Sequence, residues 1–275
     1  MKRFLLAILI VMATLPAFSK EKTAILMVHF GTSYDDTRAL TIDAINQAVR
    51  DAFPGVEVRE AWTSRMVVKK LAARGIERLL PVDALLKLRA DGYRRVIVQS
   101  TTLLEGAEMA SIRRDVASVA PFFKEILVGE PLLASAEDCA AVAGVMLQRH
   151  GLRTDSRKKM HVVLVGHGTH APNNATYSQM EHLLQRQGSP LFHVATIEGY
   201  PTLETVTADL KAAKAHKVTL VPFLLVAGDH ANNDISVEWK AALEAAGIQV
   251  DVVLEGLGQV PEIRNCYIER IQKAL

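Results

Sequence analysis

A strand–helix alternation that runs through the chain twice constrains the fold more than any other feature. In the first pass, residues 24–30, 56–62, 95–100 and 125–128 are short apolar runs of strand length. Segments with helical spacing follow them at about 36–53, 66–73 with 81–90, 110–119 and 136–149. A charged, apolar-poor stretch, 151–159, then interrupts the pattern as a linker. In the second pass, strands are expected at 160–165, 192–197, 218–226 and 249–254, and helices at 174–187, 202–215, 233–246 and 261–274. Strands separated by helices predict parallel sheets with helices packed on their faces. The expected fold is therefore α/β: two similar domains, 20–150 and 151–275, each a parallel sheet flanked by helices, with a cleft between them.

The residues before the first strand do not fit this pattern. Lys2 and Arg3 precede an apolar run, 4–15, and Ala17-Phe18-Ser19 is a small-x-small cleavage signal. Residues 1–19 are read as a cleavable signal peptide that sends the mature chain to the periplasm. The uncharged run 4–19 is shorter than the ~20 residues of a spanning helix. No later stretch is long and apolar enough to span, so no membrane partner is expected. Removing Lys2 and Arg3 leaves 30 basic and 30 acidic residues. That balance argues against nucleic acid as a partner. The two cysteines, Cys139 and Cys266, lie far from each other and from the histidine motifs, which disfavours a zinc-finger or iron–sulfur site.

Open parallel sheets bind ligands at the carboxyl ends of their strands. Three chemically active residues of the second half fall at such ends. His167 sits in Gly166-His167-Gly168-Thr169. Glu198 opens Glu198-Gly199-Tyr200-Pro201. His230 follows the apolar run 218–226, where Gly228 allows a sharp turn and Asp229 or Asn232 is placed to cap the next helix. Two imidazoles and a carboxylate on one rim suit a divalent first-row metal, or proton transfer near neutral pH. The helical HExxH spacing of hydrolytic zinc sites is absent.

The halves also correspond to each other. Phe30-Gly31-Thr32 matches His167-Gly168-Thr169, and residues 104–108 match 226–230, which puts Glu108 in the place of His230. His29 lies at the matching rim of the first half and is expected to line the pocket. His170 either lines the site or sits in a solvated loop. His150, His161, His182, His193 and His216 read as packed or solvated.

Several segments resemble one family. GHGTH at 166–170, IEGYP at 197–201, LVAGDHANND at 225–234, VHFGTSYDDTR at 28–38 and AWTSRMVVKKL at 61–71 are similar to the class II chelatases of tetrapyrrole synthesis, specifically anaerobic sirohydrochlorin cobaltochelatases of the CbiK type. The likeness runs over essentially all of the mature chain. His29 departs from the small residue expected before FGTS, and a leader peptide departs from a pathway that runs in the cytoplasm.

The resemblance implies two α/β domains around a cleft. It also implies an enzyme inserting Co2+, with Fe2+ as a second candidate, into sirohydrochlorin or a related tetrapyrrole during cobalamin biosynthesis. Cobalt would be a substrate, and no organic cofactor is expected. His167, Glu198 and His230 match the family's metal-handling residues: His167 as metal ligand and proton acceptor, His230 as co-ligand, Glu198 as ligand or proton path. Glu108 would take protons from the opposite face. Sirohydrochlorin carries eight carboxylates, for which Thr32, Ser33, Arg65, Lys69 and Arg38 are candidate contacts. A homo-oligomer is expected. The same residues leave open a periplasmic carrier of metal or tetrapyrrole, or a chelatase for nickel or iron.

Overall fold

A computed structural model describes residues 22–275. The expected signal peptide, 1–19, lies outside the described residues. Two four-stranded parallel sheets form the frame. The first holds β1 (Thr23–His29), β2 (Glu57–Trp62), β3 (Arg95–Ser100) and β4 (Glu125–Val128) in the order β2-β1-β3-β4. The second holds β5 (Met160–Gly166), β6 (Phe192–Thr196), β7 (Lys217–Pro222) and β8 (Gln249–Val252) in the order β6-β5-β7-β8. The two orders are the same topology, as expected of a duplicated unit. Every pairing is parallel. The central strands β1 and β5 are buried along nearly their whole length. This explains their continuous apolar sequences, because a strand covered on both faces cannot alternate.

Helices supply the cover. On one face of the first sheet, Ala24, Leu26 and Val28 pack with Ala84, Leu85 and Leu88 of α4 (Pro81–Ala90) and with Met109, Ile112 and Val116 of α5 (Ala107–Val119). On the other face, Ile25, Met27 and Ile97 meet Ile45 and Val49 of α2 (Ala44–Ala52) and Ile271 of α10 (Pro261–Ala274). In the second sheet, Val162 and Leu164 pack with α6 (Ala136–His150) and α7 (Ala175–Gln187), while Val163 and Val165 pack with α8 (Leu203–Ala212) and α9 (Lys240–Ala245). Packing and chain order thus assign two helices differently. The helix α6 precedes the expected boundary at 150 yet packs on the second sheet. The helix α10 ends the second half yet reaches both cores, through Ile263 and Tyr267 to one and Ile271 to the other.

Local signals set most element ends. Ser64 caps α3 (Arg65–Ala72), and Ser135 and Asp138 form a reciprocal capping box on α6. Pro81 and Pro261 start α4 and α10. Two expectations change. The strand expected over 218–226 ends at Pro222. Leu224 and Leu225 instead accept backbone bonds from Leu257 and Gly258, so residues 224–226 of the apolar run lie half-buried against a loop rather than in the sheet. The helix expected over 36–53 is interrupted: α1 (Asp35–Arg38) and α2 flank a π-helical stretch, Ala39–Asp43.

Candidate functional site

The carboxyl ends of β1, β2 and β3 face those of β5, β6 and β7, and the loops between them meet. The Tyr34 hydroxyl donates to the Asp229 carboxylate at 3.0 Å. The Asn173 side chain donates to the Glu105 carbonyl, and the Tyr267 hydroxyl donates to the Thr101 carbonyl at 3.1 Å. The first two bonds join loops of the two rims, and the third ties the helix α10 to the end of β3.

His167 follows β5 directly. Its shape depends on Gly168, which has φ +84°, and on the close approach of that glycine to Gly199 and Thr196 at the end of β6. The Glu198 N–H donates to the His167 carbonyl at 2.7 Å, which ties the two loops together. His167 Nδ1 lies 3.1 Å from the Gly168 carbonyl oxygen and 3.9 Å from a Glu198 carboxylate oxygen. A carbonyl can only accept, so Nδ1 carries the hydrogen and Nε2 of the neutral ring presents its lone pair.

His230 stands at the start of a second π-helical stretch, Ala231–Trp239. Its Nδ1 is 2.5 Å from the Asp234 carboxylate. This bond likewise leaves Nε2 as the free lone pair, the arrangement in which a second group orients a metal-binding imidazole. The rings of His167 and His230 meet edge to face, with centroids 4.7 Å apart. All three expected donors are therefore neighbours, and His167 touches both partners. Among the described residues, no three His, Cys, Asp or Glu side chains close into a ready coordination group. Paired imidazoles with few additional donors suit a metal that must be passed on rather than kept.

Across the cleft, Glu108 lies in the first turn of α5 and accepts a 2.6 Å bond from the Thr63 hydroxyl. Burial pushes its carboxyl above the usual carboxylate range, while the Thr63 bond and the nearby charge of His167 pull the other way. The residues just before Glu108 touch the second half, Gly106 and the Glu105 carbonyl lying against the Asn173 side chain.

The remaining expected residues divide. Thr32 is buried beside Gly228, accepts a bond from the Tyr34 N–H, and so belongs to the contact between loops. The Ser33 carbonyl is occupied by Arg74. Arg38 is held in ion pairs with Asp35 and Asp43. Arg65 and Lys69 are exposed on α3. His170 is exposed and, with Glu198 and Tyr200, lines an open pocket of about 500 Å³ beside the site.

His29 does not line the cleft. It is 0% exposed, with Nδ1 3.0 Å from the Thr101 hydroxyl and Nε2 3.0 Å from the Asn46 amide oxygen. Asn46 in turn donates to Glu60 at 2.8 Å. The last inward position of β1 points at α2, as Ile25 and Met27 do, so strand alternation carries His29 into the core. Burial lowers its pKa, and the ring is held as a neutral link in a polar chain.

Gly228 and the expected caps also differ from expectation. Gly228 is not in the left-handed region, so the turn does not require glycine for its φ. Asp229 pairs with Tyr34 and Asn233, Asn232 bonds back to the Gly228 carbonyl, and neither caps the helix.

Two functional candidates were not singled out from sequence. Asp234 stands four residues after His230, the one-face helical spacing that could have revealed it. Thr63 has no such signal, because its tie to Glu108 joins two distant loops.

Comparison with known proteins bears on the family and the fold. A family model described as "Cobalt chelatase (CbiK)" matches residues 23–275. The chain is 35% identical over 259 residues to a sirohydrochlorin cobaltochelatase of Salmonella typhimurium, covering 92% of this chain and 97% of that protein. It is 31% identical to sirohydrochlorin cobaltochelatase CbiKC of Nitratidesulfovibrio vulgaris, covering 92% and 91%. In fold it is similar to SirB from Bacillus subtilis with Fe3+, with a TM-score of 0.67 at 18% identity over 92% of this chain and 95% of that one. It is also similar to CbiX, described as the terminal enzyme of siroheme biosynthesis in denitrifying bacteria, with a TM-score of 0.57 at 18% identity over 92% and 99%. With a family match spanning nearly all described residues and relatives above 30% identity along the whole length, the chain belongs to the CbiK cobalt chelatase family.

Proposed function

We propose that this protein is a sirohydrochlorin cobaltochelatase, inserting Co2+ into the macrocycle with loss of two protons. The observation that carries the reading is the His167–His230 pair, both Nε2 lone pairs free, with the Glu108 carboxyl within electrostatic reach of His167. Family membership supports the same chemistry. His167 and His230 hold the incoming cation, with Glu198 beside His167 as a further donor or a proton outlet. The tetrapyrrole enters between the walls. Two pyrrole N–H bonds break and bonds from nitrogen to cobalt form. One proton leaves to the imidazole that releases the metal. The other leaves on the far face to Glu108, whose burial raises its proton affinity.

The test is anaerobic incubation of the purified protein with sirohydrochlorin and Co2+, followed by absorbance. Turnover above the spontaneous rate, lost in His167→Ala, is expected. A wild-type rate equal to that of the variant sinks the reading.

We also propose that the protein works outside the cytoplasm, after removal of residues 1–19. The charged, apolar and small-residue order of the leader supports this, as does a family match that begins at residue 23. Fractionation of the native host with N-terminal sequencing tests it. A mature chain starting at Lys20 is expected, and an intact cytoplasmic chain would refute it.

A further inference from the structure

The two walls of the cleft are built on one topology but carry different chemistry. Position by position, Phe30 stands where the second half has His167, and Glu108 stands where it has His230. Phe30 follows β1 and is 57% exposed, although an aromatic ring gains most from burial. Its carbonyl accepts the Ser64 N–H at 3.1 Å, which sets the loop after β2 against it. That loop carries Thr63, the partner of Glu108, and then Met66 in the first turn of α3, 67% exposed. Phe30 and Met66, two exposed large apolar side chains, thus stand on the joined loop segments that also carry Thr63, the partner of the Glu108 carboxyl.

We propose that Phe30 and Met66 are the seat of the tetrapyrrole, bearing on the macrocycle face opposite the metal. This rests on the chelatase reading above. An aromatic ring and a thioether present polarisable surface suited to a flat conjugated ring, and neither can compete with the imidazoles for cobalt. The pseudo-symmetry explains the division. The wall with His167 and His230 grips the cation, while the wall with Phe30 and Glu108 grips the macrocycle and takes its far-face proton. Arg65, exposed beside Met66, is placed for a peripheral carboxylate.

The test measures the two substrates separately on the full-length mature chain, under anaerobic conditions. Sirohydrochlorin binding is followed by its fluorescence, Co2+ binding by calorimetry without tetrapyrrole, and KM for each in turnover. Phe30→Ala is expected to weaken sirohydrochlorin binding about tenfold, as does loss of a stacked aromatic elsewhere. Met66→Ala should weaken it less, and the double variant more, with Co2+ affinity unchanged in all three. Phe30→Tyr should restore sirohydrochlorin affinity.

Unchanged sirohydrochlorin affinity in both alanine variants overturns the proposal, and so does an equal loss of Co2+ binding. Should Phe30→Ala not fold, Phe30→Leu decides instead: weaker binding supports the seat, wild-type affinity overturns it. The two readings fail distinguishably. Wild-type protein that binds sirohydrochlorin through Phe30 without inserting cobalt refutes the chelatase reading alone. Turnover with a KM indifferent to Phe30 refutes the seat alone.

Discussion

His167 and His230 meet edge to face with their planes 84° apart, and each ring is pinned through Nδ1 by a different acceptor, the Gly168 carbonyl and the Asp234 carboxylate. The two acceptors differ in origin. One is backbone and cannot be mutated away, whereas the other is a side chain, so the contributions of the two imidazoles can be separated. Asp234→Asn should lower Co2+ affinity about 10- to 100-fold, the range seen when a metal-binding histidine loses its orienting partner. Calorimetric titration with Co2+ alone measures it, and wild-type affinity would show that Asp234 does not set the ring.

His167→Ala and His230→Ala should each abolish most Co2+ binding without a large change in thermal stability, because both side chains are partly exposed. A Tm drop as large as that of a core variant would mean that the pair is structural instead.

Glu108 titrates above the usual carboxylate range because burial penalises its charge. As proton acceptor it must be ionised, so the acid limb of the pH–rate profile should rise through this raised value. Thr63→Val removes the hydrogen bond that favours the charged form and should shift the limb to higher pH, while Thr63→Ser should restore it. The stability effect has the opposite sense. A carboxyl with a raised folded pKa costs stability above its unfolded value of 4.5 and costs nothing below it. Glu108→Gln should therefore stabilise the protein at neutral pH, with the gain vanishing in acid. Denaturation curves at several pH values check this.

His29, His150 and His193 are held neutral by burial, the last two with pKa values lowered from 6.5 to about 4. For a depressed histidine, stability is fully present above the unfolded pKa and is lost as pH falls, because only the unfolded chain takes up the proton. Stability should therefore decline between about 6.5 and 4. His29→Ala should cost about 2–4 kcal/mol by leaving a cavity and taking away the partner of the Asn46 amide oxygen and one partner of the Thr101 hydroxyl. It should also flatten part of that decline. Chemical denaturation at pH 7 and pH 5 measures both.

Gly168→Ala combines backbone strain at φ +84° with a Cβ placed 2.7 Å from the Gly199 nitrogen. A cost of about 1–3 kcal/mol is expected from the backbone conformation alone. Because the Gly199 loop also carries Glu198, activity should fall further than stability. An activity loss no larger than the folded fraction predicts would separate Gly168 from the site.

Much of this protein is set by patterns local in sequence. Continuous apolar runs such as those of β1 and β5 read as strands covered on both faces, and their alternation with helices points to parallel sheets. The same logic places His167, Glu198 and His230 on one rim, because strand ends in a parallel sheet share an edge.

What local patterns could not decide depends on contacts between distant segments. Strand alternation shows that His29 faces one side of β1, but only the packing of α2 makes that side a closed core rather than a cleft wall. Chain order places α6 before the linker and α10 after it. Which sheet each helix covers is decided by where its apolar face finds complementary surface, and both cross over. Thr63 reaches Glu108 only once β2 and β3 lie in one sheet, and Tyr34 reaches Asp229 only once the two rims are brought together. Hydrogen bonds of that kind depend on distance in space, and distance along the chain carries no record of them.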